Sequence, residues 1–143
     1  MPHPSVYTLF VYGSLRSGFQ NPAYEYISSY FEPMGMGRVK GVLADLGDFP
    51  AAVPGDGNTY IVGELYRLKE PAQFSWAFGQ LDDYEGVIVE ADEAQMYRRE
   101  VTTVYTDGAA PAEAWIYWYN GSVAGKPLVP SGDIFEYLKN KMA

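Results

Sequence analysis

The sequence predicts an α+β fold: a small, mostly antiparallel β-barrel with flanking helices, formed by a single domain over residues 1–143. Three observations lead there. About five segments carry the β-branched and aromatic residues of strands, and three helix-like segments fall between them, which suits a sheet that curls on itself. The segment Met36 to Leu46 is strand-like but interrupted by Gly37 and Gly41, as in strands that bulge or bend around a barrel. The segment Ala112 to Tyr119 is aromatic on both faces: Trp115, Tyr117 and Tyr119 alternate with Ile116 and Trp118, so both faces should be covered.

In chain order, residues 5–12 read as the first strand. Asn21-Pro22 has the form of a helix cap and first position, opening a short helix to about Tyr30. Met36 to Leu46 is the second strand. The glycine- and proline-rich stretch from Gly47 to Gly57 is expected to be a loop. Thr59 to Leu68 reads as a strand dominated by Tyr60, Ile61, Val62, Leu65 and Tyr66. Pro71 to Tyr84 reads as a helix, and Tyr97 to Thr106 as a strand. Asp107-Gly108 begins a turn, and Ala112 to Tyr119 returns to complete a hairpin. After a loop from Asn120 to Pro130, Ser131 is placed to cap a last helix bearing Ile134, Phe135 and Leu138 at helical spacing.

Composition excludes several kinds of chemistry. With no cysteine, thiol nucleophiles, thiolate metal sites and disulfides are ruled out, and a reducing, cytoplasmic setting is expected. The only histidine is His3, so no histidine triad or histidine-rich metal site can form, and no metal or cofactor is expected. A net charge of -8 opposes binding to a phosphate backbone, so no nucleic-acid partner is expected. No apolar run approaches the ~20 residues of a membrane span, and the first residues lack a signal peptide's basic and apolar regions. The expectation is a monomer without membrane attachment. Any acid–base chemistry must come from Asp, Glu, Lys or Tyr.

Two stretches are candidates for a site. Leu9-Phe10-Val11-Tyr12-Gly13-Ser14-Leu15-Arg16-Ser17-Gly18 runs from a strand into a turn with glycine at both ends. Main-chain N–H groups at Gly13, Ser14 and Leu15 then lack a ladder partner and can form a positively polarised nest for a carboxylate or phosphate. The alternative is an ordinary glycine turn leaving a strand.

The second stretch ends the helix that starts at Pro71. Phe74, Ala77, Phe78 and Leu81 form its apolar stripe, and Glu85 falls four residues beyond Leu81 on the same side. Asp83 projects to the opposite side and Asp82 to the flank. Buried there, the Glu85 carboxyl would titrate above its ordinary range and become a usable acid or base. Alternatively the helix ends first, and Glu85 turns to water or pairs with Arg98 or Arg99.

Other motifs fail. Residues 13–18 have the glycine separation of a phosphate-binding loop, but Phe19-Gln20 stands where that loop needs Lys and then Ser or Thr. Asp45, Asp48 and Asp56 lack calcium-loop spacing. Asp82 and Asp83 diverge on a helix and make a poor glycosidase pair.

Taken together, Tyr12-Gly13-Ser14-Leu15 and Leu81-Asp82-Asp83-Tyr84-Glu85-Gly86 resemble the substrate loop and catalytic segment of the γ-glutamylcyclotransferase-like family. Tyr97-Arg98-Arg99 resembles the Tyr-x-Arg strand entry that follows, and Asp48-Phe49-Pro50-Ala51 the proline-containing cavity wall. The resemblance implies a small barrel with a cavity at one end and a small-molecule γ-glutamyl substrate, closed to 5-oxoproline with release of an amine or peptide. It also implies that Glu85 moves the proton and that Gly13, Ser14 and Leu15 hold the α-carboxylate. Tyr12 and Tyr97 would line the cavity and Trp115 could help to close it; each is equally readable as core, and for Trp115 core is the favoured role. The loop and catalytic segment look closest to the branch acting on γ-glutamylamines. A non-catalytic module holding a small carboxylated ligand in the same cavity is the alternative.

Overall fold

A computed structural model of the chain describes residues 6–12, 22–46, 50–55, 59–84, 97–106, 108, 110–129, 131–134 and 136–137. Its strands are β1 (Thr8–Val11), β2 (Phe31–Asp45), β3 (Pro50–Pro54), β4 (Tyr60–Leu68), β5 (Tyr97–Val104) and β6 (Ala112–Tyr119). Helix α1 (Pro22–Tyr30) joins β1 to β2, and α2 (Phe74–Tyr84) follows β4 after a 3₁₀ turn at Pro71–Gln73. The six strands form one mixed sheet in the order β3-β2-β4-β1-β6-β5. β1 lies parallel to β6, and the other pairings in the described sheet are antiparallel.

The sheet curls far enough to meet itself. Just past β5, Tyr105 exchanges two main-chain hydrogen bonds with Arg38 of β2, at 2.9 and 2.8 Å. This bridge makes a partial barrel of the sheet and separates two apolar clusters. Inside the curl lie Phe10, Tyr12, Val39, Leu43, Ile61, Leu65, Val104, Ile116 and Trp118. On the helix-covered face lie Leu9, Val11, Ile27, Phe31, Tyr66, Phe78, Leu81, Tyr97 and Tyr117. Strand alternation explains the division: Phe10 and Tyr12 point one way from β1 while Leu9 and Val11 point the other. The aromatic β6 divides likewise, with Ile116 and Trp118 in the first cluster and Tyr117 in the second, Trp115 and Tyr119 packing beside it. Both faces of that strand are covered, as its sequence requires.

Three differences from the sequence reading have physical reasons. The stretch from Gly47 to Gly57 is not all loop, because Pro50–Pro54 forms β3 and pairs antiparallel with β2 from Gly41↔Pro54 to Asp45↔Pro50. Proline is tolerated there because β3 is an edge strand with proline only at its ends, and Ala51 and Ala52 between them are fully buried. β2 starts at Phe31, directly after α1, and its register shift falls between Pro33 and Gly35 rather than at Gly37 or Gly41. Gly35 takes φ 109°, which suits the irregularity. Gly37 and Gly41 serve close packing instead: a Cβ on Gly37 would lie 2.6 Å from the Val104 side chain, and one on Gly41 2.7 Å from Ile61.

The cap expected at Ser131 falls at Asp133 instead, whose carbonyl accepts the first helical bond from the Tyr137 N–H at 3.0 Å. Ser131 Oγ accepts the Asp133 N–H at 3.2 Å in a turn just ahead of that helix, because Gly132 between them takes φ 72°. Ile134 is buried inside the curl; Phe135 and Leu138 lie outside the described residues.

The same segment is tied to the barrel by Gly132, whose carbonyl accepts the Val62 N–H at 2.8 Å. Gly132 has φ 72°, and a Cβ there would run into the Tyr60 carbonyl oxygen. Gly132→Ala is therefore expected to destabilise the fold by about 1–3 kcal/mol. Urea denaturation reads the effect, and a midpoint equal to that of the unaltered chain would contradict it.

Candidate active site

β1 ends at one end of the sheet, where Tyr12 follows it. Tyr12 is buried in the inner cluster, and its hydroxyl donates to the main-chain carbonyl of Tyr117 in β6. Tyr97 opens β5 at the same end of the sheet, opposite Tyr119 in register, with the two rings edge to face at 5.7 Å. The Tyr97 hydroxyl donates to the Pro50 carbonyl at 3.2 Å. Tyr97 thereby contacts Pro50, a residue of the proline-containing stretch. The two tyrosines belong to different clusters, Tyr12 inside the curl and Tyr97 on the helix-covered face. Gly13, Ser14, Leu15 and Glu85 lie outside the described residues.

In α2, Asp82 sets its carboxylate against the core. Only 8% of the residue is exposed, which corrects its expected position on the flank of the helix. Asp82 stands four residues after Phe78 and eight after Phe74, so it prolongs that row of the stripe. Its burial is matched by partners. Arg99 donates from Nε to Oδ1 at 2.7 Å and from Nη2 to Oδ2 at 3.1 Å, and the Tyr117 hydroxyl donates to Oδ1 at 2.8 Å.

Arg99 is held from its other side by aromatic rings. Its guanidinium carbon lies 4.4 Å from the Trp115 ring centroid, 5.1 Å from that of Phe78 and 5.8 Å from that of Phe74. A planar cation suits this double use, with a fork for the carboxylate and a face for the rings. Trp115 is consequently part of the helix-side packing, with its indole N–H donating to the Val6 carbonyl at 3.0 Å. This favours its reading as core over a cavity lid. Arg98, by contrast, reaches Glu100 at 2.9 Å on a more exposed part of β5.

Sequence reasoning missed this ion pair, although signals were present. The row Phe74, Phe78, Asp82 runs at helical spacing, and Arg99 follows Tyr97 by two residues on β5, hence on the same face. Arg99 also stands opposite Tyr117 in register.

Two further carboxylates are buried. Glu64 of β4 stands opposite Val11 and accepts the Tyr66 hydroxyl at 2.7 Å. Asp45, at the end of β2, accepts the Tyr137 hydroxyl at 2.9 Å. Among the described residues no group of three or more His, Cys, Asp or Glu could hold a metal ion, and no helix is long and apolar enough to cross a membrane.

Comparison with known proteins places this arrangement in a family. Residues 9–136 match the family model of γ-glutamyl cyclotransferase, AIG2-like proteins, and the chain belongs to that family. It is 33% identical over 130 residues to a provisionally named γ-glutamylcyclotransferase of Methanocaldococcus jannaschii, covering 90% of this chain and 96% of the relative. Among solved structures, YkqA from Bacillus subtilis superposes with TM-score 0.68 at 26% identity over 96% of this chain. The match spans 43% of YkqA, so it corresponds to part of that longer protein. The solution structure of YtfP from Escherichia coli matches with TM-score 0.61 at 28% identity, covering 91% of this chain and 97% of that one. The partial barrel with its flanking helices is thus the family fold.

Proposed function

We propose that the protein is a γ-glutamyl cyclotransferase that converts a γ-glutamyl compound to 5-oxoproline and a free amine or peptide. The observation that carries the reading is the convergence on Tyr117. The strand leading into Gly13-Ser14-Leu15 and the helix leading to Glu85 are both bonded to this one residue of β6. Family membership gives the same reading its reaction class.

In the proposed step, the α-amine of the substrate attacks the γ-carbonyl carbon. A C–N bond forms to close the five-membered ring, and the amide bond to the leaving group breaks. Glu85 accepts one proton from the α-ammonium and returns it to the departing nitrogen. The second proton, shed by the attacking nitrogen once the ring closes, follows to the released amine, which leaves as an ammonium, so charge and protons balance. The nucleophile is already part of the substrate, so positioning supplies much of the acceleration. Main-chain N–H groups of Gly13, Ser14 and Leu15 hold the α-carboxylate. Tyr12 and Tyr97 shape the wall, since each gives its hydroxyl hydrogen to a main-chain carbonyl. A γ-glutamylamine is the proposed substrate class. The protein is proposed to act as a cytoplasmic monomer.

Release of 5-oxoproline from a panel of γ-glutamyl amines, amino acids and peptides tests the proposal. Turnover of at least one member is expected; saturable binding without release would make the protein a carrier of carboxylated ligands instead. Activity is expected to persist after dialysis against a chelator, because the reaction draws on carboxylate and main-chain groups alone. Loss with chelator and return with a divalent ion would overturn the mechanism.

The carboxylate site gives a separate expected result. Gly13→Val should weaken substrate binding far more than Ser14→Ala, because backbone shape rather than the hydroxyl forms the nest. Product-inhibition constants for 5-oxoproline read both variants. A tolerated Gly13→Val beside an inactive Ser14→Ala would refute the nest.

A further inference from the structure

We infer that Tyr117, with the Asp82–Arg99 pair, is a positioning device that ties the end of α2, which leads to the proton-transfer residue, to the end of β1, which leads into the carboxylate-holding stretch; this rests on the cyclotransferase reading above. Tyr117 bonds in two directions from one rigid point. Its hydroxyl donates to Asp82 Oδ1 at 2.8 Å, and its main-chain carbonyl accepts the Tyr12 hydroxyl. Tyr12 immediately precedes Gly13, and Asp82 stands three residues before Glu85. β6 is flanked by β1 and β5, and Tyr117 is 3% exposed, so the anchor has little freedom of its own.

Directionality distinguishes this device from simple packing. Apolar residues in place of both Asp82 and Arg99 would hold the end of α2 against the sheet equally well, since buried ion pairs are often replaceable as a pair by apolar groups at no cost in stability. Three hydrogen bonds converging on one carboxylate additionally fix how far the last turn of α2 slides and rotates over β5 and β6. Arg99 cannot follow a displaced Asp82 freely, because its guanidinium lies against Trp115 and Phe78. Ring closure within the substrate is sensitive to such placement, and an error of about 1 Å can cost roughly 10²-fold in rate. Asp82, Arg99 and Tyr117 touch no reacting atom in this scheme; they act through Glu85 and the Gly13 turn.

The test compares 5-oxoproline release by the unaltered chain, Tyr117→Phe, Tyr12→Phe and Arg99→Lys, each checked for cooperative urea unfolding. Tyr117→Phe keeps its carbonyl and ring but frees Asp82 on one side. It is expected to lower kcat by about 10- to 10²-fold with KM little changed. Arg99→Lys loses the bidentate fork and should behave in the same way. Tyr12→Phe releases the other segment and should raise KM more than it lowers kcat. Full kcat in folded Tyr117→Phe, or equal effects on kcat and KM in both tyrosine variants, overturns the inference.

If the unaltered chain releases no 5-oxoproline, the activity reading fails separately, and the device is read by ¹⁵N resonances instead. Those of Glu85 and Gly86 are expected to move in Tyr117→Phe while those of Val42 and Val53 stay in place. Unmoved Glu85 and Gly86 resonances overturn the inference on their own.

Discussion

Glu85→Gln is expected to lower 5-oxoproline formation by about 10² to 10⁴-fold, the range associated with losing a general acid–base group. The amide keeps the size and shape of the carboxyl but cannot carry a proton from the α-ammonium to the leaving nitrogen. Binding of 5-oxoproline should survive, because the proposed carboxylate contacts are main-chain groups of Gly13, Ser14 and Leu15 rather than Glu85. Stability should hold or rise slightly, since the spacing of Glu85 after Leu81 predicts a buried carboxylate, whose desolvation cost the amide reduces. The control is Glu113→Gln, an exposed carboxylate on β6 outside the proposed machinery. Asp82→Asn, which its expected place on the helix flank would have made a natural control, is unsuitable because Asp82 is buried against Arg99 and Tyr117. A Glu85→Gln protein with unaltered turnover would remove Glu85 from the mechanism. One that is inactive only through unfolding would leave the carboxylate with a structural role.

The Glu85 prediction began in the sequence, and particular residues show how far such reading reaches. Where a segment's own pattern decides its structure, the residues sufficed: β6 runs from Ala112 to Tyr119, and Pro22 opens α1. β3 was hidden because Pro50 and Pro54 speak for turns, and only pairing with β2 makes an edge strand of the alanines between them. Glycine in β2 signalled a special strand but not its reason. Gly35 carries the irregular backbone, while Gly37 and Gly41 make room for neighbours distant in sequence.

Tyr12, Tyr97 and Pro50 belong to motifs that were legible in the sequence as a family pattern, and the Tyr97–Pro50 hydrogen bond joins two of those motifs. The Asp82–Arg99–Tyr117 network was not. Its members come from α2, β5 and β6, and no local spacing states which carboxylate of a helix end an arginine will choose. The row through Phe78 and the strand alternation after Tyr97 each offered half of that answer, and only the register between β5 and β6 joined them.

That network is the basis of the largest stability effect expected in the chain. Asp82→Ala removes the carboxylate partner of Arg99 and an acceptor of the Tyr117 hydroxyl in one step. The side chains of Arg99 and Asp82 are only 20% and 11% exposed, so water reaches them poorly. Leaving one member of a buried pair uncompensated typically costs about 3–5 kcal/mol. Contact with the Trp115 ring offsets little of this, since a cation–π contact contributes about 0.5–2 kcal/mol and is present before and after the change. Asp82→Asn should cost less, because its amide oxygen still accepts a hydrogen bond while only the charge is lost. The decisive measurement is a double-mutant cycle by urea denaturation with Asp82→Ala, Arg99→Met and both together. If the pair interacts as its geometry requires, the double variant is more stable than the sum of the single losses allows, because it strands no charge. Additive losses, or a cost below about 1 kcal/mol for Asp82→Ala, would mean that solvent or another group replaces Asp82 at the Arg99 guanidinium.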